Sequence, residues 1–253
     1  MKRAFPKTLP AILTAFLALV GWEVMVRLFG VPEFLLPGPL AIGAAFWESR
    51  GLLLEHAVPT AAEALLGFIG AAVAGTASGL LINRSGLAER ALYPWLVVSQ
   101  TLPVIALAPI LVTWFGYGML PKVLVVVLFC FFPITVAMVD GLRATDPDLI
   151  RLMRSFGASK GRIFYMVEVP GALPFLFGGI RLAVPYCVIG AVVGEWVGSS
   201  RGLGFLMIQD KTQFEIPRLF AEIALLSAMG VSLFLLVALV QRLVAPWTLE
   251  RGR

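Results

Sequence analysis

Residues 140–174 read DGLRATDPDLIRLMRSFGASKGRIFYMVEVPGALP, the longest polar, basic interval in a chain that is otherwise apolar. Arg143, Arg151, Arg154, Lys160 and Arg162 stand there against Asp140, Asp146, Asp148 and Glu168, so the interval belongs in water. Asp146-Pro147-Asp148 is a helix start. A carboxylate can accept from the orphan amides, proline has no amide to lose in the first turn, and negative charge suits that end of the dipole. Leu149, Leu152, Met153 and Phe156 recur at helical spacing, and Gly157 can supply the left-handed residue that stops the helix. A short helix over 146–157, with an uncovered apolar stripe, is therefore expected between two membrane spans. Taken alone, the interval fits equally well a solvated basic loop of the kind that sets membrane orientation.

The rest of the chain decides the class. Of 253 residues, 59% are hydrophobic and 14% charged, against about 25% charged in soluble domains. The fold class is all-α, a polytopic membrane protein with six transmembrane helices. The expected spans are Leu9 to about Phe29, Thr60–Ile82, Leu92–Phe115, Lys122–Val139, Pro174–Val197 and Ala221–Val244, each near the ~20 residues needed to cross. Residues 1–57 then form a first span and an outer loop with an interfacial helix near Ile42–Leu54. Residues 58–247 form a core of five spans and the polar helix, and 248–253 form an inner tail. The second span carries Gly67, Gly70, Ala71, Gly75 and Gly79, small residues that let helices approach closely. The third carries Pro94, Pro103 and Pro109 with Gln100 and Thr101 at mid-depth, where freed backbone carbonyls are tolerated against protein or a wet path.

Charge fixes the orientation. Lys2, Arg3, Lys7, Arg84, Arg90, Arg143, Arg151, Arg154, Lys160, Arg162, Arg242, Arg251 and Arg253 fall on one side. Arg50, Lys122, Arg201, Lys211 and Arg218 fall on the other. The bias puts both termini and the polar helix in the cytoplasm, and it explains the net charge of +5 without nucleic acid. Cys130 and Cys187 lie in apolar runs and read as small buried hydrophobes. A single histidine, His56, leaves no histidine-based metal cluster to assemble. No nucleophile–base pair and no paired carboxylates at helical spacing appear within the membrane, so neither catalytic residues nor a cofactor are expected. No Gly-x-x-x-x-Gly-Lys-Ser/Thr run is present, so a phosphate-binding loop of that type is missing and energy must come from elsewhere. Glu63, Arg181 and Glu195 are isolated intramembrane charges, functional candidates by default; snorkelling at span ends is the competing structural reading.

The polar interval resembles the cytoplasmic signature of ABC importer permeases: Glu-Ala-Ala, three residues, Gly, nine residues, Ile-x-Leu-Pro. Gly157 takes the glycine place, Val167 the Ile place and Val169-Pro170 the closing pair, whereas Arg151-Leu152-Met153 replace Glu-Ala-Ala. Leu102 to Pro109 with Trp114-Phe115-Gly116, and Gly194-Glu195-Trp196-Val197-Gly198 through Gly202-Leu203-Gly204, look like the branch that includes nitrate, sulfonate, taurine and pyrimidine-precursor permeases. The likeness runs from about Leu36 to Trp247.

The resemblance implies a type I importer permease fold with a cytoplasmic coupling helix that docks in a dimer of ATPase subunits. Its residues would be Asp146, Leu149, Arg151, Leu152, Met153, Arg154, Phe156, Gly157, Ala158 and Ser159. It also implies a second, identical permease subunit and a periplasmic or lipid-anchored binding protein, for which Met207, Ile208 and Phe214 offer an outer surface unless they serve interfacial packing. Gln100, Thr101, Pro103, Tyr186 and Glu195 are expected to line the path, where polar groups and broken backbone coincide at depth. The cargo would be a small organic or anionic solute. The Gly194–Gly198 run looks most like permeases for pyrimidine or flavin-type compounds. A self-sufficient secondary transporter would need inverted repeats and a mid-membrane ion site, and a membrane enzyme would need a polar catalytic cluster. The sequence displays none of these.

Overall fold

The computed structural model describes residues 9–84, 86–99 and 101–248, and nearly all of them are helical. The long elements are α1 (Leu9–Leu28), α3 (Arg50–Arg84), α6 (Met119–Arg143), α9 (Val169–Gly198) and α11 (Ile216–Val244). Between them lie α2 (Pro39–Glu48), α4 (Gly86–Ser99), α5 (Val104–Phe115), α7 (Pro147–Ser155), α8 (Lys160–Ile163) and α10 (Leu203–Gln213). Among the described residues, five helices are long and apolar enough to cross a membrane.

The bundle is built on α3, α6 and α9, with α6 packed along α9 on one side and α3 on the other. Helices in lipid gain no hydrophobic drive from associating, so close packing has to hold them. The glycines of α3 meet that need: a Cβ on Gly79 would lie 2.7 Å from Met138 Cβ, and one on Gly75 would lie 3.1 Å from Ile134 Cγ2. Val126, Cys130, Ile134 and Met138 of α6 fill the seam with Phe68, Ala71, Cys187 and Ala191. Both cysteines are free and buried there. The Cys130 thiol donates to the Ala183 carbonyl at 3.4 Å and that of Cys187 to Ala64 at 3.2 Å.

Several boundaries differ from the sequence reading. The chain breaks at Ser49, not at Pro59, so the interfacial helix ends at Glu48 and α3 begins at Arg50 with Pro59 inside it. At ~1.5 Å per residue the 35 residues of α3 reach about 52 Å. That exceeds the ~30 Å of hydrocarbon, so the helix must tilt in the bilayer or extend beyond it. Likewise the helix expected to start at Pro174 runs continuously from Lys160 to Gly198, through a π-helical turn at Phe164–Glu168. Pro170 has no amide to donate to the Met166 carbonyl, and the widened turn precedes it.

The expected span Leu92–Phe115 is divided into α4 and α5, separated by Thr101 and Leu102, with Pro103 at the N-cap of α5. Proline disfavours helical geometry in the residue before it and removes one rung of the ladder. The segment 198–220, expected on the outer side, carries α10, followed by Phe214 in the left-handed conformation at φ 61°. At the opposite end, Arg143 reaches Glu89 at 2.6 Å and stacks over Tyr93, tying α6 to α4. In α1, Glu23 accepts from the Leu40 amide at 3.1 Å, joining that helix to the start of α2.

Candidate functional site

The polar helix forms as its residues dictate. Asp146 Oδ1 accepts from the Asp148 amide at 2.8 Å, and Gly157 adopts φ +76°. The Gly157 amide bonds to Arg154 O at 2.9 Å and that of Ala158 to Met153 O at 3.0 Å, which closes the C-terminus. Ser159 Oγ accepts from the Arg162 amide at 3.4 Å and starts α8. Arg151 pairs with Asp148 at 3.1 Å on the exposed surface. No residue of α7 is buried. Leu149 is 46% exposed, Leu152 50% and Phe156 77%, with Met153 intermediate. The apolar stripe thus faces away from the bundle, uncovered.

The expected path residues separate. Gln100 lies outside the described residues. Thr101 is exposed, and its hydroxyl donates back to Val98 O at 2.7 Å. Pro103 and Tyr186 do come together: with Phe129, Phe132 and Leu102 they line a cavity of 390 Å³ beside the α4–α5 break. Glu195 is elsewhere, 1% exposed at the end where α9 meets α10.

What surrounds Glu195 is a constellation that the sequence does not show. Thr60 Oγ1 donates to Glu195 Oε1 at 2.6 Å and accepts from the Leu203 amide at 2.8 Å. The Gly204 amide donates to Glu195 Oε2 at 2.5 Å. His56 Nδ1 lies 3.1 Å from the Gly202 amide and 3.0 Å from its carbonyl. Glu63, also 1% exposed, is ion-paired to Lys122, whose ammonium donates to Ser199 Oγ at 3.1 Å. Side chains from α3, α6 and α9 therefore fasten the turn 199–204. They border a groove of 860 Å³ whose wall includes Tyr117, Trp196 and Phe205.

Two carboxylates 132 residues apart in sequence meet here, which no helical spacing could reveal. The available signal was opposite charge at matching depth, Glu63 and Lys122 each lying near the first residues of its expected span. Arg181 is not part of this network; its guanidinium stands 5.6 Å from the Phe234 ring. A second buried acidic group was also missed. Asp210 accepts a two-pronged contact from Arg218 at 2.5 and 2.6 Å, near the fully buried Glu222. Of the expected outer surface, Phe214 is exposed and Ile208 borders the groove, whereas Met207 of α10 is half-buried against the core.

Comparison with known proteins converges on one family. The family model described as "Binding-protein-dependent transport system inner membrane component" matches residues 67–249. The chain is 42% identical to a formylaminopyrimidine transport permease protein of Halalkalibacterium halodurans, covering 98% of both chains. It is 38% identical to a riboflavin transport system permease protein of Chloroflexus aurantiacus, over 92% of this chain and 88% of that one. The fold matches a crystal structure of an amino acid ABC transporter with a TM-score of 0.59 at 16% identity, covering 80% of this chain and 97% of that one. The chain therefore belongs to the binding-protein-dependent inner membrane components, as a multi-pass permease subunit of an ABC importer whose ATP hydrolysis resides on a separate subunit.

Proposed function

We propose that α7 is the element gripped by the ATPase subunit. The observation that carries this is a helix capped at both ends, none of whose residues is buried against the bundle, with Leu149, Leu152 and Phe156 presented outward. Exposed apolar surface of this kind marks an interaction site, and a rigid helix can pass a partner's closure directly to α6 and α9. Arg151 stands where the family signature has its glutamate, so the ATPase cleft is expected to offer a carboxylate to this helix.

In this reading α4 and α5 together make one crossing, which brings the total to six and puts both termini and α7 on the cytoplasmic side. Two identical copies face each other, and the binding protein delivers cargo to the outer surface that includes Phe214 and the groove at Glu63, Lys122 and Glu195. The cavity at Pro103 and Tyr186 is then a segment of the path. Its aromatic wall of Phe129, Phe132 and Tyr186 suits a flat heteroaromatic ring. This favours a pyrimidine or flavin-type cargo over nitrate or a sulfonate, in keeping with the names of the 42% and 38% identical relatives.

Co-purification with the cognate ATPase tests the docking role. Changing Leu149 and Leu152 together to Asp should leave the permease in the membrane and abolish ATPase capture. Full capture by that variant would refute the assignment. Stimulation of ATPase activity by the loaded binding protein, scanned over pyrimidines, flavins and sulfonates, identifies the cargo class.

A further inference from the structure

A second cavity opens beside α7, at the end of the bundle opposite the Glu63–Lys122 network. Its 480 Å³ are bordered by Arg84, Arg154 and Lys160, with Asn83 and Glu168 as further polar groups and Phe164 on the apolar side. Three cations against one carboxylate leave the rim with two positive charges. Neighbouring arginines have carboxylate partners: Arg143 with Glu89 and Arg151 with Asp148. Among the described residues, Arg84, Arg154 and Lys160 have none within 4.0 Å. Arg84 is the last residue of α3 and Lys160 the first of the helix that continues into α9. The cations therefore gather where two long apolar helices reach water. Exposed apolar side chains lie within two turns along both helices: Leu81 at 56%, Tyr165 at 73% and Met166 at 62%.

We propose that this cavity binds the headgroup phosphate of an anionic phospholipid. Guanidinium forks and an ammonium match the oxygens of a phosphate. Basic pockets at the ends of membrane helices take such headgroups, and the adjoining exposed apolar surface gives the acyl chains a place to lie. A soluble anion would have no use for that surface. Glu168 repels the phosphate from its own side of the cavity and so confines it to the side of Arg84, Arg154 and Lys160. A lipid held there would touch α3 and the α7–α8 turn together, coupling the position of α7 to the membrane around it. The site stands on its own charges. Only its assignment to the inner leaflet rests on the orientation proposed above.

The test is native mass spectrometry of the intact transporter, permease with ATPase, exchanged into detergent containing phosphatidylglycerol or phosphatidylethanolamine. Wild type should retain phosphatidylglycerol selectively. R84Q and K160Q should each lower retention about fivefold, near the value of one basic residue at an anionic surface, with the ATPase stoichiometry unchanged. Glu168→Gln should raise retention, and R84K with K160R should preserve it, which separates charge from folding defects. Equal retention of phosphatidylglycerol by wild type and both Gln variants would overturn the proposal. Loss of the ATPase with lipid retained would overturn it too, assigning the cations to the subunit interface. Displacement of the lipid by inorganic phosphate at the same concentration as short-chain phosphatidylglycerol would make the ligand free phosphate and not lipid.

Discussion

Lys122 and Glu63 show what a single side chain carries in this protein. Both are almost fully buried and paired with each other. Removing one partner of such a pair leaves an uncompensated charge and costs about 3–5 kcal/mol, whereas replacing both with neutral groups of similar shape is often tolerated. Lys122→Ala should therefore lower the thermal stability of the detergent-solubilised protein by that amount. Lys122→Met combined with Glu63→Gln should recover most of it, and stability of K122A equal to wild type would show the pair to be immaterial. Gly157 makes the complementary case. Its φ of +76° is a conformation that β-branched residues resist, with nothing within 4 Å of the added Cβ. The cost of Gly157→Val is thus backbone strain of about 1–2 kcal/mol at the α7 terminus, far from the core. Insertion and stability of the bundle should persist, while uptake falls and ATP hydrolysis loses its dependence on the binding protein. Normal coupled uptake in that variant would count against a docking role for the α7 terminus.

At the scale of elements, the seam between α3 and α6 is the least forgiving. Gly79→Leu must displace Met138 along a packed helix pair; overpacking of this kind costs about 1–3 kcal/mol and more when backbone is pinned. The yield of folded permease, read by size-exclusion chromatography, should drop sharply, whereas Gly178→Leu, on a face with nothing within 4 Å, should be accepted. The α4–α5 break makes a different prediction. Pro103→Ala returns an amide to the chain and lifts the constraint on Leu102. The two helices should then join, leaving stability intact and slowing uptake by reshaping the cavity that Pro103 and Tyr186 share. Uptake at the wild-type rate would remove that cavity from the path.

For the whole molecule, orientation and burial can be read from one set of labels. Cys130 and Cys187 are buried, so the native protein should resist maleimides in intact membranes and supply a silent background. A cysteine at Phe156 should then react only after the inner face is opened, and one at Phe214 from outside. The reverse pattern would invert the topology and detach α7 from any cytoplasmic ATPase.

Much of this was legible in the chain. The apolar runs marked α1, α3, α6, α9 and α11, and Asp146, Pro147 and Gly157 marked both ends of α7, because caps and apolar periodicity are local properties. The length of α3, the continuity from Lys160 into α9 and the break at Thr101–Leu102 were not legible. A proline inside an apolar run kinks, breaks or is absorbed according to what packs beside it.

By itself, the sequence determined the class, the charge asymmetry and the capped helix with its apolar stripe. Those rest on composition and on interactions between residues a few positions apart. Only the tertiary structure decided that Glu63, Lys122, Thr60 and Glu195 form one network, that Pro103 and Tyr186 share a cavity without Glu195, and that Arg84, Arg154 and Lys160 border another. These groups meet across helices far apart in the chain, and a periodic pattern along one helix carries no information about which face of another it will meet.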